Sequence, residues 1–428
     1  MRVLVVGSGG REHALAWKFA GSGRVGEVLV APGNAGTALE DKVRNVSVGA
    51  EDIDALLDLA RKELVDLTVV GPEIPLVAGI VDRFKEAGLA CFGPLAAGAA
   101  LEGSKAFTKK FLCKYGIPTA AYRDFDALEP ALQYIHEQGA PIVVKADGLA
   151  AGKGVIVAKT IEEAEAAATS MLCDASFGRA GSRIVIEEFL EGEEASFIVV
   201  TDGSSVLPLA SSQDHKARDA GDTGPNTGGM GAYSPAPVVS HEIEQHILDG
   251  VIRPTLAGLQ SEGIVYVGFL YAGLMITPNG TPKVIEFNCR LGDPETQPIM
   301  TRLDTDLVSI CEAALEGRLS GLTVEWDPRA ALGVVMAAGG YPESYETGLK
   351  ISGLDSPGDS ASKVFHAGTG LHGDDIVTSG GRVLCVVGLG DSVCEARDLA
   401  YRRAASIDWR DVYYRKDIGH RAIARERG

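Results

Sequence analysis

Short, unbroken apolar runs recur along the first hundred residues, each followed by a glycine-bearing turn and an amphipathic stretch. Val3-Leu4-Val5-Val6 is the first, and a run of this kind reads as a parallel strand buried on both faces. Gly7-Ser8-Gly9-Gly10-Arg11-Glu12-His13 then opens a helix, an arrangement that turns backbone N–H groups toward an anion. The pattern continues with a strand at Val28-Leu29-Val30, a helix over about 52–63, a strand at Leu67-Thr68-Val69-Val70, the turn Gly71-Pro72-Glu73 and a helix over about 75–87. This predicts a doubly wound α/β unit whose loops 9–13, 32–36 and 71–75 lie at strand C-terminal ends, where ligands usually bind. Two features oppose a dinucleotide fingerprint: Glu12 stands where the last glycine is expected, and the second strand ends in Ala31-Pro32-Gly33-Asn34 without an acidic residue.

Ser104 is a plausible N-cap for a helix with Phe107, Phe111 and Leu112 on its apolar face. Beyond Pro118 the pattern changes. Pro141-Ile142-Val143-Val144-Lys145 runs into a glycine-rich loop carrying Gly148, Gly152 and Gly154, then into the strand 155–158. Such a hairpin is either a flap over polyphosphate or a surface turn with lysines, and it lacks the Walker spacing. Ile184-Val185-Ile186-Glu187-Glu188-Phe189-Leu190-Glu191-Gly192-Glu193-Glu194 joins two apolar strands through a carboxylate-dense connector, which can read a purine edge and ribose hydroxyls or simply be a solvated turn. In Lys283-Val284-Ile285-Glu286-Phe287-Asn288-Cys289-Arg290, strand alternation sets Glu286, Asn288 and Arg290 on one face and Ile285 and Phe287 in the core. That face is either solvated or built to hold a hard cation and clamp an anion. From about Arg329 a smaller α/β unit is predicted, with strands near 332–337 and 383–387 and a helix over about 392–406.

Charge and composition narrow the partners. Net charge is −18 over 428 residues, which disfavours nucleic acid and anionic membranes and leaves small anions held by local basic clusters. Seven scattered cysteines without a C-x-x-C pair suggest reduced thiols, a cytoplasmic setting and no zinc site. The start of the chain has no signal-peptide pattern, and no apolar run is long enough to span a bilayer.

The order of lysine, glycine loop, acidic connector and polar strand resembles that of ATP-grasp enzymes. Gln213-Asp214-His215-Lys216 and Asp222-Thr223-Gly224-Pro225-Asn226-Thr227-Gly228-Gly229-Met230-Gly231, a long polar glycine-rich stretch, narrow the likeness. With 7–13, Gly71-Pro72-Glu73-Ile74-Pro75, 101–105, 286–298 and Tyr414-Arg415-Lys416-Asp417-Ile418-Gly419, the chain closely resembles the phosphoribosylamine–glycine ligase family over essentially its whole length. Ala217 and Ala220 depart from that family's arginine and aspartate, so no roles carry over to that short span.

The resemblance implies a multidomain α/β and α+β architecture: an N-terminal doubly wound domain over 1–103 that binds substrate, an ATP-grasp domain over 104–327 with a mobile flap at about 120–190, and a small α/β domain over 328–428. It implies ligation of glycine to 5-phosphoribosylamine with ATP, through glycyl phosphate, in a monomer or weak dimer. Lys105, Lys145 and the loop with Gly148, Gly152 and Gly154 would hold the phosphates, Glu187 and Leu190 adenine, and Glu194 the ribose. Glu286 and Asn288 would carry Mg²⁺ or Mn²⁺, and Arg290, Lys145 and Asp214 would serve catalysis. Gly9, Gly10, Arg11, Glu12, Glu73, Lys216, Asn226, Thr227, Gly228, Asp293 and Glu295 are the candidates for the other two substrates. Another ATP-grasp ligase or carboxylase, or a nucleotide-binding protein without turnover, are the alternatives. The retained lysines and the Glu286, Asn288 and Arg290 set oppose the last.

Overall fold

The structure, a computed structural model, describes residues 1–149, 154–174, 180–356 and 359–427. Its first sheet is fully parallel, in the spatial order Val43–Asn45, Glu27–Pro32, Arg2–Gly7, Leu67–Val70, Cys91–Phe92. Val3, Leu4, Val5 and Val6 are all without exposure, as continuous apolar strands between two helical layers require. Strand order reverses beside Arg2–Gly7, so the loops after Gly7 and Val70 open at one crevice. The helix expected over 75–87 is instead two, Glu73–Val77 and Ile80–Glu86, because Gly79 adopts φ +88° between them.

A second sheet pairs Tyr122–Phe125, Ile184–Glu188, Ile142–Ala146 and Val155–Ala158, all antiparallel, and packs on the helices Leu128–Gln138 and Ile161–Cys173. A third pairs Val206–Pro208, Glu193–Asp202, Val267–Ile276 and Pro282–Asn288. Between them runs the helix Lys105–Lys114, whose Ser104 side chain accepts the Phe107 N–H at 3.1 Å. Asp147 Oδ1 accepts from Ser104 Oγ and the Ala106 N–H, joining this helix start to the end of the lysine strand.

The C-terminal sheet is not made from C-terminal residues alone. Its order is Gln213–Asp214, Gly231–Ser234, Ala330–Ala337, Arg382–Gly390, Ser362–His366, so the polar stretch after residue 212 supplies two of its strands. A short hairpin, Ala217–Asp219 with Thr223–Asn226, closes that stretch. The helix Val393–Ala404 covers the sheet. No helix among the described residues is long and apolar enough to cross a membrane.

Candidate active site

One irregularity of pairing sets up the site. Gly273 opposes Glu286 and Leu274 opposes Val284, so Ile285 is an extra residue on its strand, a bulge that shifts alternation by one. Val284 and Phe287 therefore both enter the core, while Ile285, expected in the core, is half-buried on the cavity wall. Glu286 and Asn288 face the same cavity, of about 410 Å³. Gly273 leaves room for Glu286, since a Cβ there would stand 3.0 Å from Glu286 Cγ.

The lysine end is built of buried cations around one carboxylate. Lys145 Nζ donates to Glu187 Oε2 at 3.0 Å and to the Ile285 carbonyl at 3.3 Å. Lys109 Nζ lies 2.9 Å from the same carboxylate oxygen. Glu187 is 3% exposed, and its Oε1 has no hydrogen-bond partner among the described residues, an atom whose burial costs free energy unless a ligand meets it. Lys105 Nζ donates to the Gly148 carbonyl at 3.1 Å. Burial lowers the pKa of Lys105, and that of Lys109 to about 8 despite Glu187. Leu190, Glu194 and Gly154 line this end; Gly148 meets it only through its carbonyl on Lys105, and Gly152 lies outside the described residues.

At the middle, Lys216 Nζ sits 3.3 Å from Glu286 Oε1 and 3.4 Å from Glu194 Oε2. The Lys216 ammonium holds the Glu286 carboxyl down to about 2 against burial. Burial opposes the charge on Lys216, but Glu286 and Glu194 outweigh it and raise its pKa. Asn288 Oδ1 accepts from Arg290 Nη2 at 3.3 Å. Glu286 and Asn288 each spend one acceptor position here, and a carboxylate offers about four, so a hard oxygen-seeking cation fits the pair. The strand ends at Asn288, so Arg290 is placed by carboxylates rather than by strand alternation. Its Nη2 donates to Glu102 Oε1 at 2.7 Å, and Nε lies 3.4 Å from Glu73 Oε2 without hydrogen-bond alignment.

The far end is acidic. Asp214 has a buried Oδ1 with no partner among the described residues, and burial together with the Glu295 charge pushes its pKa up. Glu295 Oε1 accepts from Ser196 Oγ at 2.9 Å, and Ser196 Oγ meets the Tyr271 hydroxyl at 2.9 Å. Burial opposes ionisation of Asp293, but Arg382 and Arg11 hold it below the ordinary carboxylate value. Asn226, Thr227 and Gly228 line this end beside them.

Most predicted residues thus converge, but part of the N-terminal loop does not. Arg11 and Glu73 reach the cavity, whereas Gly9, Gly10 and Glu12 form no part of its described wall. Glu12 folds back: its Oε2 accepts the Gly9 N–H and its Oε1 accepts from Arg11 Nε, both at 2.6 Å. The side chain that replaced the expected glycine therefore occupies the donor that would have met an anion. Gly10 packs on Gln297, whose Nε2 would be 2.5 Å from a Cβ there. Sequence reasoning missed Glu102, Lys109 and Arg382. The first two stand near Lys105 on neighbouring helices, and Arg382 sits in a Gly380-Gly381-Arg382 stretch with no chemical pattern around it.

Comparison with known proteins gives matches along the chain. Family models for the N domain, the ATP-grasp (A) domain and the C domain of phosphoribosylglycinamide synthetase match residues 1–102, 103–296 and 331–421. Curated relatives include the phosphoribosylamine–glycine ligases of Allochromatium vinosum, 65% identical, and of an Escherichia coli strain, 64% identical, each alignment covering 100% of both chains. Among solved structures, the phosphoribosylamine–glycine ligase of Thermotoga maritima superposes with a TM-score of 0.81 at 35% identity, covering 98% of this chain and 100% of that one. The biotin carboxylase domain of Hydrogenobacter thermophilus 2-oxoglutarate carboxylase shares the fold, with a TM-score of 0.73 at 18% identity, covering 96% of this chain and 91% of that one.

Proposed function

Because the chain belongs to the phosphoribosylglycinamide synthetase family and so joins glycine to 5-phosphoribosylamine with ATP in purine biosynthesis, we propose that the cavity described above runs the reaction in two steps, from the lysine end to the acidic end. A carboxylate resists attack by an amine. In the first step a glycine carboxylate oxygen bonds to the γ-phosphorus and the bond to ADP breaks, giving glycyl phosphate. In the second, the amine of phosphoribosylamine bonds to the acyl carbon, phosphate leaves, and the amine loses a proton.

Lys105 and Lys145 would neutralise phosphate oxygens. Glu187 Oε1 and the backbone near Leu190 would read adenine, and Glu194 the ribose hydroxyls. Arg290, kept in place by Glu102 and Glu73, would steady the transferring phosphoryl group, where preorganised charge acts most strongly. Glu286 and Asn288 would hold a divalent cation, Mg²⁺ or Mn²⁺, which when bound offsets the charge on the triphosphate. Asp293 and Glu295 would receive the glycine ammonium, with Lys216, Asn226, Thr227 and Gly228 around the reacting groups and Arg11 and Glu73 beside the acceptor. Asp214, pushed up by burial and by Glu295, would take the proton released by the amine. We assign the boundaries 1–103, 104–327 and 328–428 to the three domains, and read the enzyme as a cytoplasmic monomer or weak dimer.

The observation that carries this reading is the meeting, in one cavity, of buried lysines and the Glu286, Asn288 and Arg290 set with the Asp214, Asp293 and Glu295 group. With Mg²⁺, the purified protein is expected to release phosphate from ATP only when glycine and phosphoribosylamine are both present, with the amide as product. Equal phosphate release without glycine would overturn it.

A further inference from the structure

Three guanidinium groups line the cavity beyond the lysine end, and they are held differently. Arg11 is paired with Glu12 at 2.6 Å and Arg290 with Glu102 at 2.7 Å. Arg382, the first residue of the strand Arg382–Gly390, hydrogen-bonds only to backbone carbonyls among the described residues. Its Nη1 donates to the Gly228 carbonyl and, at 2.8 Å, to that of Asp293, and lies 3.5 Å from that of Gly229. Nη2 stands 3.6 Å from Asp293 Oδ2.

Those carbonyls belong to two segments far apart in sequence, the stretch after Asn226 and the turn after the metal-facing strand. Close packing fixes the contact further. A Cβ on Gly228 would fall 2.9 Å from Arg382 Cζ, so the glycine lies flat against the guanidinium, and its N–H donates to the Tyr341 hydroxyl at 3.2 Å. A planar fork with five donors can serve several carbonyls at once in a way an ammonium cannot.

We infer that Arg382 is a positioning residue, through which the C-terminal sheet holds Gly228 and Asp293 in register and so shapes the glycine and phosphoribosylamine end of the cavity without bearing on the nucleotide end. The inference rests on the ligase reading of that end. It also gives the C-terminal sheet a part in substrate selection.

Steady-state kinetics of Arg382→Ala and Arg382→Lys test it, with Gly228→Ala as an independent variant that keeps the charge and displaces the guanidinium. All three are expected to raise the KM for glycine and for phosphoribosylamine about tenfold or more while the KM for ATP stays within about twofold. Methylguanidinium added to Arg382→Ala is expected to restore part of the lost kcat/KM. A KM for ATP that rises as much as the others, or wild-type constants in Gly228→Ala, would overturn the inference. Should Arg382→Ala not fold, the Gly228→Ala split decides alone. Failure of the ligase reading is distinguishable, because it would appear in the wild-type protein as ATP turnover without glycine.

Discussion

The two ends of the cavity are built on different electrostatic plans. At the lysine end, Lys109 and Lys145 share the buried Glu187 carboxylate, with Lys105 beside them, leaving excess positive charge for a polyanion. At the other end, Asp214, Asp293 and Glu295 are interleaved with Lys216, Arg11 and Arg382, a mixed field rather than one of a single sign. The ends differ in construction as well. The cationic end comes from a helix start and two strands of one sheet. The acidic end joins the 226–228 stretch to the turn at Asp293 through Arg382, whose hydrogen bonds to their backbone span 154 and 89 residues. A donor end and an acceptor end can therefore be perturbed separately, provided the boundary between them is left alone.

Three measurements can break or sharpen that comparison, beginning with the boundary itself. Glu286→Gln removes the charge that Lys216 holds and the carboxylate proposed to hold the cation, and is expected to lower kcat about a hundredfold or more, close to 3 kcal/mol of transition-state stabilisation. Phosphate-release rates at saturating Mg²⁺ check this, and a variant near the wild-type rate would remove Glu286 from the chemistry. Lys109→Met comes next and should act on the nucleotide end alone, raising the KM for ATP about tenfold with that for glycine unchanged. Because the folded pKa of Lys109 is about 8, wild-type ATP affinity should fall as pH rises through 8, and the variant should lose that limb. The matching stability effect has the opposite sign: between about 8 and the ordinary lysine value near 10.4 the unfolded chain binds more protons, so this group favours folding as pH rises.

The smallest effect belongs to a contact remote from both ends. Glu40 accepts from His13 Nε2 at 3.0 Å and pairs with Lys363, tying the first helix to the C-terminal strand Ser362–His366. Burial opposes its ionisation, but His13 and Lys363 bring its pKa down to about 2. Glu40→Gln is expected to cost about 1 kcal/mol and lower the thermal midpoint by about 2 °C, leaving all three KM values unchanged. A change in any KM would show that the ends communicate through this tether.

How legible each end was in the sequence follows from the same contrast. Buried parallel strands, the Ser104 cap, the lysine strand and the acidic connector are local patterns, and the structure has each of them. Glu286 and Asn288 were found by alternation, yet alternation alone misassigned Ile285, because a bulge is set by the partner strand and not by the run itself. Glu12 could be seen to break a glycine motif, but not to fold back onto Gly9. Arg382 carried no local signal. Its meaning arises only where the C-terminal sheet meets Gly228 and Asp293, contacts separated by 154 and 89 residues.

That sheet also bears on how the chain is made. Gln213–Asp214 and Gly231–Ser234 are synthesised before Ala330–Ala337, the strand that must lie beside them. At roughly 5 to 20 residues per second, a ribosome takes several seconds to supply it, and Arg382 follows later still. Once Pro282–Asn288 has been made, the lysine half has all its strands while the other half still has an open edge, so the growing chain can complete the cationic wall before Arg382 arrives to pin the carboxylate wall opposite it.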